Sequence, residues 1–514
     1  MSSKEPGARN LARLAEAAFE RHGDYVSLIF EGREHRSGEL HERARRLGGG
    51  LAAAGIAPRD RVVVMMANCA EVGLVYHALW RIGATVTPAV FLLSREDVRR
   101  ILVDSEAVAV ITTPEFLGTV RSAAEGVESV RLVVSTGEAE AGAVALAALA
   151  QAEPTEIVPL ADSELAALMY TGGTTGRSKG VMLSHENLWL AGRIGEDTGY
   201  IPGINRGLTA LPLAHAFGLL VTVVGLQSHE PGTAVLMRWF EPTAWLELAQ
   251  EHAVQISAVV PSMLQLLLAQ PLEDYDLSAL RQLACGAAPL PAEVVAELAR
   301  RLPGVEIREG YGLTETSALV SSNPPGRVRP GSVGLPVAGT EVTIVDERDR
   351  ELPVGEVGEI CCRSRMVMLG YWRDPEQTAE VMRGGALHTG DMGRLDEDGY
   401  LYVVDRKKDV IIRGGFNVFP RDVEEALLEQ PAIGAACVVG RPDVARGEEV
   451  VAFVSLRAGY DTPAGELEAF GKERLGGYKY PREVRVLSSL PFTPVGKIDR
   501  KALRALLAAE GGAT

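Results

Sequence analysis

The first 170 residues alternate between amphipathic stretches and short apolar runs. Apolar side chains recur at helical spacing in residues 11–22, 37–54 and 69–82. Between these stretches lie runs rich in β-branched residues, of which Arg61 to Met66 and Ala107 to Thr112 are the clearest. Strands that alternate with helices in this way form mostly parallel sheets covered on both faces. The pattern therefore predicts an α/β fold built on doubly wound sheets.

The alternation continues after residue 180 and later gives way to short strands. Ser184 is the predicted N-cap of one helix, and residues 242–252, 261–269 and 291–302 are further predicted helices. From about residue 330, closely spaced glycines and prolines separate short apolar runs. This change indicates a β-rich subdomain at about 330–405.

A dense charged segment near residue 405 marks a predicted domain boundary. Asp405 to Asp409 are five consecutive charged residues, and Gly414-Gly415 follow shortly after them. An exposed charged segment followed by glycines is typical of a hinge. We therefore predict a large N-terminal domain of doubly wound mixed sheets with its β-rich subdomain, residues 1–407. A small, mobile α+β C-terminal domain follows, residues 408–514.

Composition narrows the function classes. The 514 residues carry a formal net charge of −16, which argues against nucleic acid or an anionic membrane surface as the main partner. The five cysteines are odd in number and lack metal-ligand spacing, so reduced, mostly buried thiols are expected. The N-terminal residues lack the apolar core of a secretion signal, and no apolar run approaches membrane-spanning length. We expect a cytoplasmic protein without an integral membrane segment.

A glycine- and threonine-rich loop follows the apolar run that ends at Met169. Its glycines permit close backbone approach, and its hydroxyl and successive N–H groups suit an anion. It is not a Walker A loop, because the lysine does not directly follow the last glycine. Taken alone, the stretch is either a phosphate-binding loop or a glycine-rich surface turn. It consists of Thr171, Gly172, Gly173, Thr174, Thr175, Gly176, Arg177, Ser178 and Lys179.

Several polar residues stand in settings that allow two interpretations. His215 is the polar exception in the apolar stretch 211–219, where a lone histidine is more often a core residue than a catalytic one. Glu315 lies between two threonines; the stretch is either a helix start capped by Thr314 or a nucleotide pocket whose carboxylate holds Mg²⁺. Asp391 ends the stretch His388-Thr389-Gly390-Asp391, which is either a plain turn or a ribose-binding segment. Lys497 is either a solvated loop lysine or a catalytic one.

Taken in their order, these stretches closely resemble the motifs of the adenylate-forming superfamily. That superfamily includes acyl-CoA synthetases, the adenylation domains of nonribosomal peptide synthetases, and beetle luciferases. The resemblance implies an enzyme, an acid–thiol ligase that uses ATP, Mg²⁺ and coenzyme A. A carboxylate attacks the α-phosphate of ATP to give an acyl-adenylate and pyrophosphate, and the thiol then displaces AMP. The resemblance covers about residues 10–508, with matches at 170–180, 311–315, 388–391, 405–420 and 496–497.

The resemblance also assigns a role to each matching residue. Lys497 would bridge the carboxylate and the α-phosphate, Glu315 would ligate Mg²⁺, and Asp391 with Arg406 would hold the ribose. Lys408 would be the hinge residue. With Lys497 and Glu315, the catalytic set would comprise Thr171, Lys179 and His215. The phosphate, nucleotide and coenzyme A contacts would come from Thr171, Gly172, Gly173, Thr174, Thr175, Gly176, Lys179, Gly286, Ala287, Ala288, Glu309, Gly310, Tyr311, Gly312, Thr314, Lys408, Gly414, Gly415 and Lys497.

The predicted acyl pocket is apolar. Amino-acid-activating members commonly carry an aspartate at the position of Ala216, so this residue argues against an α-amino acid. An apolar lining with several small residues suits an uncharged chain or ring. We expect a medium- or long-chain fatty acid, with an aryl acid of the cinnamate or benzoate kind as the alternative. The lining residues are His215, Ala216, Phe217, Gly218, Gly286, Gly310 and Leu313.

Other partners and rival functions follow from the same stretches. An acyl-AMP ligase that loads a carrier protein is the enzymatic alternative, and the lack of a long insertion near the domain boundary favours coenzyme A. An inactive nucleotide-binding scaffold is the other alternative, which the intact Glu315, Asp391, Arg406 and Lys497 argue against. The stretch that ends at Lys497 resembles the Pro-x₄-Gly-Lys pattern at which bacterial acyl-CoA synthetases are acetylated. We expect a monomer or homodimer.

Overall fold

The computed structural model describes residues 7–140, 142–171, 178–475, 477–492 and 498–511. The chain forms two compact units. The first consists of Met1–Glu341 with Cys362–Leu387, and the second of Val342–Cys361 with His388–Thr514. The hinge between residues 407 and 408 stays a prediction.

Helices make up much of the described chain, and two short 3₁₀ turns occur at Leu272–Asp274 and Thr314–Thr316. In chain order the α-helices are α1 (Leu11–His22), α2 (Ser37–Ala53), α3 (Ala70–Arg81), α4 (Arg95–Asp104), α5 (Pro114–Ala124), α6 (Leu146–Leu149), α7 (His185–Gly199), α8 (Ala216–Gly225), α9 (Pro242–Glu251), α10 (Pro261–Leu268), α11 (Ala292–Arg301), α12 (Pro375–Val381), α13 (Pro420–Leu428), α14 (Ala464–Arg474) and α15 (Arg500–Gly511).

The strands are short in the first part of the chain and longer in the second. In chain order they are β1 (Val26–Phe30), β2 (Arg33–Arg36), β3 (Arg61–Met65), β4 (Thr85–Pro88), β5 (Ala109–Thr112), β6 (Leu132–Ser135), β7 (Val144–Ala145), β8 (Leu165–Thr171), β9 (Lys179–Ser184), β10 (Arg206–Thr209), β11 (Thr233–Leu236), β12 (Ile256–Val259), β13 (Gln282–Cys285), β14 (Glu306–Tyr311), β15 (Ser321–Ser322), β16 (Leu335–Pro336), β17 (Thr340–Val345), β18 (Gly358–Ser364), β19 (Gly370–Tyr371), β20 (Met382–Arg383), β21 (Ala386–Leu395), β22 (Leu401–Arg406), β23 (Ile411–Arg413), β24 (Phe416–Val418), β25 (Ile433–Asp443), β26 (Gly447–Leu456) and β27 (Glu483–Leu487).

Two large mixed sheets form the first unit. One has the order β16-β15-β14-β13-β12-β10-β11-β1-β2, and the other has the order β19-β9-β8-β4-β3-β5-β6-β7. The central strands of both run parallel, as β12, β13 and β14 do. Both edges of the first sheet are antiparallel, whereas the second sheet is antiparallel at its β19 edge and parallel at its β7 edge. Parallel neighbours that follow each other in the chain, such as β3 and β4 or β12 and β13, are joined by crossover helices. The predicted α/β fold with doubly wound mixed sheets is confirmed.

The start of α7 shows how local sequence sets an element. The Ser184 hydroxyl accepts a hydrogen bond from the Asn187 N–H at 3.1 Å, and the Asn187 side-chain oxygen accepts one from the Ser184 N–H at 2.9 Å. This reciprocal cap satisfies two backbone donors that the helix itself leaves unpaired. The predicted N-cap is confirmed. The Asn187 amide also donates to the carbonyl oxygens of Arg365 and Val367, so the cap fixes a distant segment of the chain.

Two five-stranded sheets hold the strands of the second unit. One has the order β17-β18-β21-β20 with β22 paired to β21, and the chain passes between the units within β17, β18 and β21. The other has the order β24-β23-β26-β25 with β27 paired to β26. Alternate residues of β26 face two separate cores: Val450 and Ala452 pack in one, and Val451 and Phe453 in the other. A strand buried on both faces in this way reads as a continuous apolar run.

All five cysteines lie within the described residues, where each is buried. The expectation of reduced, buried thiols therefore agrees with their placement. Among the described residues, no helix combines the length and the apolar character needed to cross a membrane.

Candidate active site

The glycine-rich loop lies between two paired strands. Thr171 ends β8 and Lys179 begins β9, and the two residues face each other in antiparallel register. The Ser178 hydroxyl donates to the Thr171 carbonyl at 2.8 Å and closes the base of the loop. The predicted phosphate-loop residues between them, Gly172, Gly173, Thr174, Thr175 and Gly176, lie outside the described residues. The strand pairing holds both ends of the loop at one point.

Lys179 is held by two groups that the sequence patterns did not single out. Its ammonium lies 4.9 Å from the centroid of the Tyr371 ring, and it donates a hydrogen bond to the Gln377 side-chain oxygen. An ammonium over an aromatic face is attracted by the ring quadrupole. The Tyr371 hydroxyl in turn donates to Glu315 Oε1 at 2.9 Å. Burial, with the nearby charge of Glu315, raises the pKa of Tyr371, so the hydroxyl keeps the proton that it donates.

Backbone hydrogen bonds of the segment Met368–Trp372 bring Glu315 and Lys179 together. The Met368 N–H donates to the Glu315 carbonyl at 2.8 Å. Farther along, β19 pairs with β9, with Tyr371 opposite Val181, and the Trp372 N–H donates to the Gly180 carbonyl at 2.7 Å. The short segment therefore joins the turn that carries Glu315 to the strand that carries Lys179.

The turn around Glu315 differs from the simple helix start considered from the sequence. Thr314 begins a 3₁₀ turn and is not its cap. The hydroxyl of Thr316 accepts from the Leu313 N–H at 2.9 Å and donates to the Leu313 carbonyl at 3.0 Å, so this later threonine supplies the capping bond. Gly312 precedes the turn, and a Cβ there would lie 2.2 Å from the Ala318 carbonyl oxygen. Only glycine fits that position.

The segments predicted to surround adenine meet at the carboxyl ends of two neighbouring strands. β13 and β14 are parallel, and the segment Gly286-Ala287-Ala288 follows the first while Gly310 and Tyr311 end the second. A Cβ at Gly286 would lie 3.2 Å from the Gly310 carbonyl oxygen. Ala287 has a φ of +70°, a left-handed turn that is uncommon for a residue with a side chain. In open α/β sheets this edge is where ligands bind.

His215 caps α8 at the edge of the predicted acyl pocket. Its Nδ1 accepts from the Phe217 N–H at 3.3 Å, which leaves Nε2 to carry the proton of the neutral ring. Phe217 lies beside Gly286, since a Cβ at Gly286 would be 3.7 Å from the Phe217 ring. Gly218 is tightly packed, and a Cβ there would lie 2.2 Å from the Pro212 carbonyl oxygen. Ala216, Phe217 and Gly218 thus form the first turn of the helix.

Asn68 fixes the approach to this helix and was not predicted from the sequence. Its side chain is buried, donates to the carbonyls of Leu211 and Met237 at 2.8 and 3.1 Å, and accepts from the Leu213 N–H at 2.9 Å. A buried amide with each of these bonds made holds its neighbours rigidly. A polar residue three positions after the end of the apolar strand β3 was the available signal, but nothing local indicated its distant partners.

In the second unit the two residues predicted to bind ribose are paired. Asp391 on β21 lies opposite Arg406 on β22, and the Arg406 Nε donates to Asp391 Oδ1 at 2.6 Å. The Asp391 side chain is buried, while that of Arg406 is about half exposed. The stretch 388–391 belongs to β21 and is therefore a strand, not a plain turn.

Glu359 supports this pair from the neighbouring strand. Its buried carboxylate accepts from the Lys407 ammonium at 2.8 Å and from the Gly390 N–H at 3.2 Å, and His388 Nδ1 lies 3.3 Å from it. Burial raises the pKa of Glu359, but the bonds from Lys407 and His388 outweigh burial and hold the pKa below its ordinary value. The carboxylate therefore stays charged and ties together the residues that flank Asp391 and Arg406.

The remaining predicted residues lie farther along the second unit. Lys408 is exposed in the turn after β22. Gly414 and Gly415 have φ values of +58° and +84° and form the tight turn between β23 and β24, a geometry that favours glycine at both positions. Lys497 lies outside the described residues.

Comparison with known proteins identifies the family. The family model "AMP-binding enzyme" matches residues 15–372, and "AMP-binding enzyme C-terminal domain" matches residues 422–497. A feruloyl-CoA synthase from an Amycolatopsis species is 38% identical, covering 91% of this chain and 92% of that protein. A long-chain-fatty-acid–CoA ligase from Bacillus subtilis is 35% identical, covering 93% of this chain and 91% of that protein.

A solved structure extends the likeness to the whole fold. The anthranilate CoA ligase AuaEII in complex with anthranoyl-AMP superposes with a TM-score of 0.93 at 26% identity and covers 100% of both chains. The resemblance found in the sequence, and the ATP, Mg²⁺ and coenzyme A that it implies, are confirmed. The chain therefore belongs to the AMP-binding enzyme family of the adenylate-forming superfamily and is an AMP-forming acid–CoA ligase that acts through an acyl-adenylate.

Proposed function

We propose that the acid joined to coenzyme A is an uncharged one, a medium- or long-chain fatty acid. The observation that carries this proposal is the wall formed by Phe217, Gly286 and Gly310, which lie next to one another beside α8. That wall has no charged side chain, and α8 carries none along its length. An ammonium or a second carboxylate on the substrate would stay unpaired against such a surface. The Bacillus subtilis relative is named as a ligase of long-chain fatty acids.

An aryl acid is the second candidate. The feruloyl-CoA synthase and the anthranilate CoA ligase are both named for aryl acids. The glycines at 286 and 310 leave the wall flat, and the Phe217 ring stands 3.7 Å from the place where a Cβ of Gly286 would be. A flat wall beside an aromatic ring suits stacking with a planar substrate ring.

The phosphate end of the site is assigned to the loop at 171–179. The first step brings a carboxylate to a polyphosphate, and both are anionic, so fixed positive charge and N–H donors lower its barrier. Lys179, held in place by Tyr371 and Gln377, would stabilise the departing pyrophosphate. Thr171, at the end of β8, would contribute a donor at the mouth of the loop.

Glu315 fits a magnesium ligand. Mg²⁺ in nucleotide sites is usually held by one or two carboxylates together with phosphates and water. Among the described residues there is no cluster of three or more His, Cys, Asp or Glu side chains that could hold a metal. A single carboxylate fixed by the Tyr371 hydroxyl matches the sparse donor set that Mg²⁺ takes beside a triphosphate. The ion would neutralise charge on the phosphates.

The nucleoside contacts follow the family pattern. Asp391 would accept hydrogen bonds from the ribose hydroxyls, with Arg406 fixing its carboxylate. The adenine would lie against the segment of Gly286, Ala287 and Ala288 and against Tyr311. Thr314 would contact the α-phosphate. The same pattern places Glu309, Gly310, Gly312 and Leu313 around the nucleotide and the acyl group.

Two further assignments concern the change between half-reactions. Lys497 would bridge the carboxylate and the α-phosphate in the first step. Residues 408–514 would then move as a domain about Lys408, and the turn at Gly414 and Gly415 would line the path of the pantetheine arm. Glycines suit that path because a slim thiol arm passes close to the backbone.

A substrate panel tests the proposed acid. Purified enzyme is supplied with ATP, Mg²⁺ and coenzyme A, and AMP release is measured for medium- and long-chain fatty acids, cinnamate, ferulate, benzoate, anthranilate and an α-amino acid. The proposal expects the highest kcat/KM with a fatty acid and no turnover of the amino acid. A higher kcat/KM with an aryl acid establishes the second candidate. Glu315→Gln is the control that shows that AMP release depends on this site.

The thiol acceptor and the control of the enzyme are tested separately. Replacing coenzyme A by an acyl carrier protein in the same assay should stop thioester formation.

Incubation with a bacterial lysine acetyltransferase and acetyl-CoA should modify Lys497 and remove the charge used in the first step. An unmodified Lys497 with full activity would contradict this form of control. Light scattering of the purified chain distinguishes a monomer from a homodimer.

A further inference from the structure

We propose that Tyr371 is a positioning residue that couples the magnesium ligand to the phosphate-binding lysine. The proposal rests on the roles given above to Glu315 and Lys179. Tyr371 contacts both of these residues, through its hydroxyl and through its ring face respectively. One side chain would therefore set the distance and the orientation between the metal and the cation that act on the same phosphates.

The hydroxyl acts on the carboxylate. Tyr371 is 7% exposed, and its hydroxyl donates to Glu315 Oε1 at 2.9 Å. A hydrogen bond to one oxygen fixes the plane of the carboxylate and leaves the lone pairs of the second oxygen for a cation. Loss of a group that bonds to a metal ligand in this way typically lowers metal affinity by about 10- to 100-fold.

The ring acts on the lysine. Lys179 Nζ lies 4.9 Å from the Tyr371 centroid, and the Gln377 side-chain oxygen accepts from the same ammonium. A lysine side chain is flexible, and an aromatic face on one side with an amide on the other restricts where its charge can lie. The ring therefore contributes to the site independently of the hydroxyl.

The backbone around Tyr371 leaves it little freedom. Its N–H donates to the Thr378 hydroxyl at 2.8 Å, and Val181 pairs with it across the β9–β19 ladder. The residue before it, Gly370, has a φ of +141°, and a Cβ there would lie 2.9 Å from the Thr378 side chain. A tyrosine that served only to fill the core would not need two charged partners on a backbone fixed in this way.

Two variants separate the hydroxyl from the ring. Tyr371→Phe removes the bond to Glu315 and keeps the ring, whereas Tyr371→Leu removes both. The matched control is Tyr200→Phe, because the Tyr200 hydroxyl donates to Glu230 Oε1 at 2.7 Å in the same unit but outside the predicted site. ATP binding to each full-length variant is measured by calorimetry, once with Mg²⁺ varied and once in excess EDTA.

The expected results differ for each variant. Tyr371→Phe should raise the Mg²⁺ concentration needed for half-maximal ATP binding about 10-fold or more and leave the ATP affinity in EDTA unchanged. Tyr371→Leu should in addition weaken ATP binding in EDTA by about 2- to 5-fold. Tyr200→Phe should match the wild type in both measurements.

Two outcomes would overturn the proposal. A wild-type Mg²⁺ dependence in Tyr371→Phe would show that the hydroxyl does not position the ligand. Equal weakening with Mg²⁺ and in EDTA would show that the substitution merely loosens the site. The variant Glu315→Gln distinguishes failure of the Tyr371 proposal from failure of the magnesium assignment on which it rests. If Glu315→Gln keeps the wild-type Mg²⁺ dependence, Glu315 is not the metal ligand and the proposed metal site is wrong.

Discussion

The imidazole of His185 is buried at the start of α7, and it should make the folding stability depend on pH. Its side chain is 0% exposed, and its Nδ1 accepts from the Leu11 N–H at 3.2 Å. Within the described part of the chain its Nε2 has no hydrogen-bond partner. Burial lowers the pKa of His185 to about 4, although the negative charge of Glu164 acts to raise it. The positive end of the helix dipole acts in the same direction as burial.

The sign and size of the effect follow from proton linkage. The unfolded chain, with an ordinary histidine pKa of 6.5, binds this proton more readily than the folded chain does. Stability is therefore full above pH 6.5 and is lost as the pH falls toward the folded pKa of about 4. Between pH 7 and pH 5 the loss from this one group is about 1.8 kcal/mol.

The perturbation that tests this value is His185→Asn. The asparagine oxygen can take the place of Nδ1 as acceptor for the Leu11 N–H, but it does not titrate. Unfolding free energies from urea titrations at pH 7, 6 and 5 are compared for the two proteins. The variant is expected to be less stable at pH 7, because a buried ring is lost, yet its stability should fall with pH by about 1.8 kcal/mol less than that of the wild type. Groups that titrate equally in both proteins cancel in this difference.

His229 supplies the control. Its side chain is partly exposed at the surface and its Nε2 lies 2.9 Å from Asp197 Oδ1, so the substitution removes no buried ring. His229→Asn should therefore not flatten the pH dependence. If His185→Asn and the wild type lose the same stability between pH 7 and pH 5, the buried histidine is not held neutral and the reasoning is wrong.

Four other substitutions test packing and the catalytic cycle. Gly218→Ala should destabilise the first unit by about 1–3 kcal/mol in thermal unfolding, since its methyl group would overlap the Pro212 carbonyl. Gly225→Ala in the same helix meets open space and should be neutral or gain up to about 1 kcal/mol. Lys497→Ala should reduce ATP–pyrophosphate exchange by about a hundredfold or more while largely sparing thioester formation from a supplied acyl-adenylate, and equal loss in both assays would refute its role. Lys408→Pro should slow thioester formation more than adenylation, and equal slowing of both would argue against a hinge there.

The sequence predicted elements best where a polar face and a terminating residue marked them. The ends of α1 and α2 fall within one residue of the predicted ranges, because both helices are amphipathic and are followed by glycine or a turn. α8 was not predicted as a helix. Apart from Thr222 its residues are apolar or glycine, so it shows no helical periodicity, and its stretch resembled pocket lining alone.

Contacts between distant residues explain what could not be predicted at the site. A shared ribose-binding role for Asp391 and Arg406 was expected only through the family resemblance, and their direct pairing follows from the two strands that carry them. Tyr371 belongs to a two-residue strand, which leaves no pattern in the sequence. Its contact with Glu315 depends on backbone bonds between segments that no local rule connects.

The pairing of β9 with β19 also sets an order of events during synthesis. β9 ends at Ser184 and its partner begins at Gly370, so the ribosome adds about 190 residues before the ladder can close. At about 5–20 residues per second, the nascent chain carries an open sheet edge for about 10–40 seconds. An open edge with an apolar face invites pairing with other chains. The two residues of β19 are therefore expected to govern soluble yield, and variants at Gly370 should aggregate during expression more than their folded stability would indicate.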